Sequence, residues 1–425
     1  MKVAIIGAGM TRFDRPRREL QEEMVAEAMK NMLEDMPNLE IKDIDAAVYS
    51  YFSDHLEQQL CFHWIIHDYL GLSGKPGYRV ESGGATPIDA LINAYMYIKS
   101  GIFKVVLAAG WEKMGEVDTA KVNEFIAMAS DTDWDFMVGG YYNGYYAALE
   151  VRRMHLYGDT IEDLALISVK NHNNATYNPY AQWRARHGTG KITVEDVYKS
   201  RLIAYPYRTM NIAEISDGAA VMLLASEEVA RKYTDTPVWI TGVGLGNDSM
   251  RPGDRTGNPA WLGLYPEDEA VWPDYEPKPL TPYPEMANFG AFRYAADMAY
   301  KMAGIENPVK DLDLVEIFNP YDGVEISAYE DLRFVKRGEG KKLIREGVTE
   351  RWGELPVNVS GGLYGQGHPV GATSLGQAVV LFWQLREEIS RKWGSRNAQI
   401  QNPRRALIHG HGGTGCQAGV VIMER

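Results

Sequence analysis

The sequence predicts an α/β protein built from one βαβαβαββ unit used twice. Three observations predict it. Strand-like apolar runs alternate with helix-like periodic ones, the second half echoes the first, and glycine-rich turns follow strands at matching places in both halves. Short buried strands separated by helices imply a largely parallel sheet covered on both faces.

In chain order, Val3-Ala-Ile-Ile6 reads as a buried strand and 19–33 as an amphipathic helix. Ala46-Ala-Val-Tyr-Ser50 is a second strand, followed by a helical stretch over 60–69. A helix over 85–98 and the strand Lys104-Val-Val-Leu-Ala-Ala109 come next. The stretch 111–207 is less regular and rich in Tyr, Asn, Met and Trp, with helices expected over 143–155 and 161–171. The core resumes with the glycine-led strand at 215–225.

Beyond it, Val238-Trp-Ile-Thr-Gly-Val-Gly244 echoes Val3-Ala-Ile-Ile-Gly-Ala-Gly9, and the strand at 313–318 echoes the one at Ala46. The loop-to-helix element after Val357, ending in a helix over 374–385, echoes the one after Val80. Ala406-Leu-Ile-His409 echoes the strand at 104–109. The expected division is a first half over 1–110 and 208–235, an insertion over 111–207, and a second half over 236–425. A further Pro-rich, loop-like insertion is expected over 247–282.

The 425 residues carry 44 Lys+Arg against 57 Asp+Glu, a net charge of -13. Such a surface argues against nucleic acid or an anionic membrane as partner. It leaves room for an anionic ligand held by a local basic patch. With only Cys61 and Cys416, no disulfide framework exists, which fits a cytoplasmic setting. The chain enters its first strand without a secretory pattern, and no uncharged apolar run is long enough to span a bilayer. A soluble protein is expected.

The most informative segment is Gly361-Gly-Leu-Tyr-Gly-Gln-Gly-His-Pro-Val-Gly-Ala-Thr373. Its glycines let backbone approach a ligand, and Pro369 biases His368 towards an extended conformation. An imidazole is thereby held at a strand–loop–helix junction, where ligands bind in α/β folds. Two companion turns match it. Glu81-Ser-Gly-Gly-Ala-Thr-Pro87 would aim backbone N–H groups at one point beside a helix start, a setting for a nucleophile or an oxyanion hole. His409-Gly-His-Gly-Gly-Thr-Gly-Cys416 adds histidines able to act as acid and base. Gly7-Ala-Gly9 lacks the third glycine of a dinucleotide fingerprint, because Arg12 stands there, so turn chemistry is the expectation. His63 and His67 share a helix face but sit among apolar neighbours without the Glu of a zincin motif, so packing is expected rather than metal.

Gly367-His-Pro369 with Gly371-Ala-Thr373, Ser216-Asp-Gly-Ala-Ala220, Asp313-Leu-Val-Glu-Ile-Phe-Asn-Pro-Tyr321 and the ending at 409–415 together resemble the thiolase superfamily, in its archaeal and sterol-carrier-protein-like branch. The resemblance spans nearly the whole chain. It implies the thiolase fold: two halves in a five-layered αβαβα core, with a loop domain inserted. It implies a dimeric or tetrameric acyltransferase acting on acyl-coenzyme A, with coenzyme A as substrate and no permanently bound cofactor. Members of this branch often bind a small partner containing a zinc ribbon and an OB fold.

By this resemblance His368 is the activating histidine. The family's acylated cysteine falls on Gly84, which has no side chain to acylate. Ser82 or Cys416 would then be the nucleophile, or the acyl group would pass directly to the thiol of coenzyme A. Phe318 stands where the family carries the Asn or His that holds an oxyanion-hole water, and Asn319 is the candidate substitute. The C-terminal acid/base position falls near Gly410, so His411 or His409 would supply the proton; Cys416 is otherwise a buried strand cysteine. Gly83, Gly84, Gly367, Gly412 and Gly413 are expected to present backbone to coenzyme A.

Three functions fit. The first is thiolase-type cleavage or formation of a C–C bond β to a thioester, with the aromatic-rich insertion shaping a pocket for a bulky acyl group such as an aroyl-succinyl chain. The second is a thiolase-like aldolase on β-hydroxyacyl-CoA, using Tyr321 or His368 as acid/base. The third is an inert thiolase-like subunit serving an active partner.

Overall fold

The computed structural model describes residues 1–137, 139, 141–255 and 287–425. Most of the Pro-rich insertion expected over 247–282 lies outside them. The core strands are β1 (Val3–Met10), β2 (Ala46–Ser50), β3 (Gly77–Val80), β4 (Val105–Lys113), β5 (Asp217–Ser226), β6 (Val238–Asn247), β7 (Leu314–Glu316), β8 (Arg405–Gly412) and β9 (Gln417–Glu424). The principal helices are α1 (Gln21–Leu33), α2 (Phe62–Tyr69), α3 (Thr86–Lys99), α4 (Tyr142–Tyr157), α5 (Ile161–Ala175), α6 (Gly290–Ala303), α7 (Asp322–Asp331) and α8 (Thr373–Leu385).

Nine strands join in the order β3–β2–β4–β5–β1–β6–β9–β8–β7. Read outward from the β1/β6 junction, the two halves repeat one pattern. β5 runs antiparallel to β1 and β4, and β2 lies parallel to β4 and β3. Correspondingly, β9 runs antiparallel to β6 and β8, and β7 lies parallel to β8. A parallel bridge from Val315 to Val357 stands in for the third strand of the second half. The halves meet where Ala4 pairs with Trp239 and Ile5 with Val238.

Strand alternation distributes side chains to three apolar interfaces. Ala4, Ile6, Val221 and Leu223 pack with Met24, Met29 and Met32 of α1 on one outer face. Ile5, Met222, Ile408 and Val421 pack with α3 and α8 in the centre. Leu407, Val420 and Ile422 pack with Phe292 and Ala295 of α6 on the other outer face. The result is the five-layered αβαβα core that the resemblance implies. All thirteen residues of α8 are buried, as befits a helix with strands on both sides.

The strand glycines correct one expectation. Gly7 and Gly9 lie within β1 and make no turn. A Cβ on Gly9 would meet the Met32 amide nitrogen at 2.7 Å, so their absence of side chain lets α1 lie against the strand. Gly242 repeats the device in β6, where a Cβ would meet the Ala299 carbonyl of α6 at 2.5 Å. His67 is spent on Tyr49 (2.8 Å) and the Lys75 carbonyl (3.1 Å), in keeping with a packing helix.

Between β4 and β5 the chain carries α4, α5 and a two-stranded ribbon, Leu202–Ala204 with Tyr207–Arg208. The first half's β4 runs to Lys113, beyond the boundary expected at 110.

Candidate active site

The His368 turn is built by conformations that its glycines permit. Gly361, Gly362 and Gly367 have φ of 116°, 60° and 112°, all in the region that side chains disfavour. They bracket the short helix Gly362–Gln366 and deliver His368 to the start of α8. The His368 amide donates to Ser216 Oγ at 2.8 Å, and a parallel bridge ties His368 to Ile215. A residue of the second half is thus held by the last segment of the first.

The imidazole itself is oriented by Thr373. Thr373 Oγ1 gives its proton to the Pro369 carbonyl at 2.8 Å and lies 2.8 Å from His368 Nδ1. With that hydroxyl proton committed, Nδ1 must donate, which leaves Nε2 as an unprotonated acceptor. Burial pulls the imidazole pKa down to about 3, so the ring stays neutral. A neutral imidazole with a free Nε2 lone pair is equipped to take a proton.

Opposite it, the space beside Gly84 is filled. A Cβ on Gly84 would lie 2.6 Å from the His411 carbonyl oxygen and 2.9 Å from Phe318 Cζ. The Phe318 ring therefore occupies the space into which a side chain at 84 would project. That ring meets His368 edge-on at a centroid distance of 5.2 Å, and His411 edge-on at 4.8 Å. The two histidines flank one phenyl group. Gly412 packs just as closely, its Cβ position lying 3.1 Å from the Gly84 nitrogen and 3.0 Å from that of Ala85. Gly83 (φ 62°) and Gly413 (φ 56°) complete this contact between two turns.

His411 is paired with a residue that sequence reasoning missed. Tyr146 of α4 hydrogen-bonds His411 Nε2 at 2.8 Å, while His411 Nδ1 is buried without a partner among the described residues. Burial, together with the neighbouring His409 and His368, holds His411 well below the usual imidazole pKa. Nothing in an aromatic-rich insertion marks Tyr146 over its neighbours; only the fold brings it to β8. His409 is fully buried against Phe292 at 4.3 Å, with both ring nitrogens unpartnered among the described residues and its pKa lowered to about 3 by burial. Gly410 faces inward, its Cβ position 2.6 Å from Ile88.

The remaining candidates divide. Asn319 does not substitute at the Phe318 position. Its amide donates to Glu325 (2.7 Å) and Tyr364 (3.0 Å), and its oxygen accepts from the Leu363 amide (2.9 Å), which commits it to a buried network around Glu325. Tyr321 donates to Asn143 Oδ1 at 2.7 Å and stacks on Tyr146 at 4.5 Å, one ring behind His411. Burial pushes its phenol well above the usual value, which disfavours loss of its proton.

Ser82 and Cys416 line a cleft of about 340 Å³ with Gly83, Gly413, Phe52, Phe125, Met128 and Met250. Ser82 donates to Asp89 Oδ2 at 2.5 Å, and burial lifts Asp89 to about 6. Cys416 sits in the turn between β8 and β9, half-exposed, rather than in a strand. Its thiol lies 3.7 Å from Met250 Sδ, and burial raises its pKa, which disfavours the thiolate. Neither side chain is oriented by a histidine within hydrogen-bond reach among the described residues.

Residues 3–228 match the family described as "Thiolase, N-terminal domain", and residues 278–425 match "Thiolase C-terminal domain-like". The chain is 35% identical to an acetyl-CoA acetyltransferase of Methanothermobacter thermautotrophicus, over 100% of this chain and 99% of the relative. It is 28% identical to the benzoylsuccinyl-CoA thiolase subunit BbsB of Thauera aromatica, over 98% and 96% of the two chains. Among solved structures it is similar to the Ltp2-ChsH2(DUF35) aldolase, with a TM-score of 0.76 and 22% identity, covering 100% of this chain and 97% of that one.

Proposed function

Because this chain belongs to the thiolase family, matched in both of its halves, we propose that it makes or breaks the C–C bond β to a coenzyme A thioester without an acyl-enzyme at position 84. The observation that carries this reading is the Phe318 ring, 2.9 Å from where a Cβ at Gly84 would stand. An enzyme of this family without that nucleophile still has a base, and direct transfer of the acyl group to free coenzyme A needs nothing more.

In the cleavage direction, His368 Nε2 takes the proton of the coenzyme A thiol. The thiolate adds to the β-ketone carbonyl of the bound β-ketoacyl-CoA. Collapse of the tetrahedral adduct breaks the Cα–Cβ bond and leaves its electron pair on the departing thioester as an enolate. The proton held on His368 Nε2 then returns to the α-carbon, which restores the neutral imidazole and completes the cycle. The products are two thioesters, and formation of the bond is the reverse. Bringing the thiolate and ketone together in one site replaces the two half-reactions of a covalent route.

The cleft beside Gly83 and Gly413, walled by Phe52, Phe125, Met128 and Met250, supports a bulky or aromatic acyl group as substrate. The Thauera relative carries benzoylsuccinyl-CoA in its name. We also propose a homodimer or larger assembly and a small zinc-ribbon and OB-fold partner. The names of a relative called a subunit and of a two-component aldolase support a complex. Among the described residues no helix is long and apolar enough to cross a membrane.

Initial rates against both β-ketoacyl-CoA and coenzyme A test the reading. Direct transfer requires a ternary complex, so double-reciprocal lines should intersect. Parallel lines, the pattern of a covalent ping-pong route, would reject it. The same His368 and the same absence of a nucleophile also suit retro-aldol cleavage of a β-hydroxyacyl-CoA. There Nε2 would take the hydroxyl proton and an aldehyde or ketone would leave, with no coenzyme A consumed. Aldehyde or ketone release from a β-hydroxyacyl-CoA, with no turnover of β-ketoacyl-CoA, would select that reading instead.

A further inference from the structure

The end of β4 carries a buried acid that the proposed reaction does not use. Glu112 is fully buried, and its Oε2 accepts from two backbone amides, Phe52 at 2.7 Å and Gly371 at 3.0 Å. Gly371 is the centre of the turn Val370–Ala372 that follows His368. The carbonyl of the same residue accepts from Ser50 Oγ at the end of β2. Gly371 cannot carry a side chain here, because a Cβ would lie 2.6 Å from Tyr51 Cα and 2.9 Å from Glu112 Oε2. The histidine turn of the second half is thus pressed onto the strand ends of the first, and Glu112 grips it by one peptide group.

We propose that Glu112 is a positioning residue for His368, fixing the turn that orients the imidazole by holding the Gly371 amide. The assignment rests on the reading of His368 as base. The path is short: Glu112 holds Gly371, and the turn it fixes runs from Pro369 to Thr373, the two residues that set the Nδ1 proton. Phe52, held by the other bond, lines the cleft, so one carboxyl sets the spacing between cleft wall and base.

The surroundings explain why an acid can serve here. Burial and the nearby Glu57 raise Glu112 well above the usual carboxylate pKa, against the opposing hydrogen bonds from the Phe52 and Gly371 amides and, more weakly, Arg79. Glu57 is itself lifted to about 7 by burial, despite bonds from Trp111 and Gln21. Glutamine presents an amide oxygen as acceptor in the place of Oε2, so it keeps the hold on both amides, whereas alanine abolishes it.

The test uses the full-length protein with Glu112→Gln, Glu112→Asp and Glu112→Ala, each alone and in a His368→Ala background. Glu112→Gln should keep wild-type kcat. Glu112→Ala should lose kcat by on the order of 10²-fold with KM unchanged, because a base displaced by about an ångström loses its alignment. Neither change should cost further activity once His368 is gone. A second readout needs no turnover: the rate of carbethoxylation of His368 by diethyl pyrocarbonate, followed by peptide mass spectrometry, should rise in Glu112→Ala and stay constant in Glu112→Gln. Should the alanine variant not fold, Glu112→Asp, which withdraws the carboxyl by one methylene, should move both readouts in the same direction. An unchanged carbethoxylation rate in the Ala and Asp variants would overturn the proposal even if the protein turned over no acyl-CoA. So would an equal loss of kcat in Gln and Ala, or a further loss in the His368→Ala background.

Discussion

His368→Ala is expected to lower kcat by about 10³-fold in the proposed reaction, within the range that loss of a general base produces. The fold should survive, because among the described residues the side chain makes one hydrogen bond, to Thr373, and its backbone contact with Ser216 needs no side chain. His368→Gln should not rescue activity, since an amide in that place cannot hold the transferred proton. The pH profile follows from the same environment. Burial lowers the His368 pKa to about 3, so the ring is already neutral and competent throughout the range above that value. The acid limb of kcat/KM should accordingly be missing near the ordinary imidazole value of about 6.5. Retention of wild-type turnover by the alanine variant would mean that this chain serves its complex only as a scaffold.

Gly84→Cys combined with Phe318→Asn is expected to create what the native chain lacks, a covalently acylated enzyme. Gly84 has a φ outside the left-handed region, so a cysteine there strains no backbone; what excludes it is Phe318 Cζ at 2.9 Å and the His411 carbonyl at 2.6 Å. Gly84→Cys alone should be overpacked, cost about 1–3 kcal/mol of stability, and acquire no acyl group. Phe318→Asn alone should open the space beside His368 yet offer no nucleophile. Only the pair, which removes the ring and leaves the turn at His411 to shift away from the new Cβ, should gain the mass of an acyl group on incubation with acyl-CoA. An adduct on Gly84→Cys alone would mean that the ring moves aside readily and does not define the site.

The sequence made the architecture legible because its signals are periodic. The unbroken runs of small and apolar residues in β1 and β5 and the apolar spacing of α8 follow from burial on both faces, and they can be counted without coordinates. The His368 turn was legible as well, since three glycines with positive φ leave few other structures for that segment. What stayed hidden depends on where side chains point across distant segments. Gly84 and Phe318 read as two separate losses; that one fills the space of the other follows only from their 2.9 Å approach. Asn319 looked like a substitute because it is one residue away, but its amide faces Glu325 and Tyr364 in the core. Gly7 and Gly9 resembled a turn because glycine signals close approach without saying of what, and here the approaching group is helix α1. Tyr146 lies 265 positions from the histidine it bonds, within an insertion whose aromatic residues are too many to rank. Glu112 carried a faint signal: a carboxylate at the end of the apolar run Val105–Lys113, in a strand buried along its length.

In the proposed reaction Phe318 stands where a nucleophile would project, and acyl transfer proceeds without a covalent enzyme intermediate. The most direct measurement is intact-mass analysis of the native protein, quenched in acid during turnover of a β-ketoacyl-CoA in the absence of free coenzyme A. The unmodified mass is expected at every time point, together with product formation that begins only when coenzyme A is added. An acyl adduct that appears before coenzyme A and disappears after it, whether mapped to Ser82, Cys416 or any other residue, would contradict it.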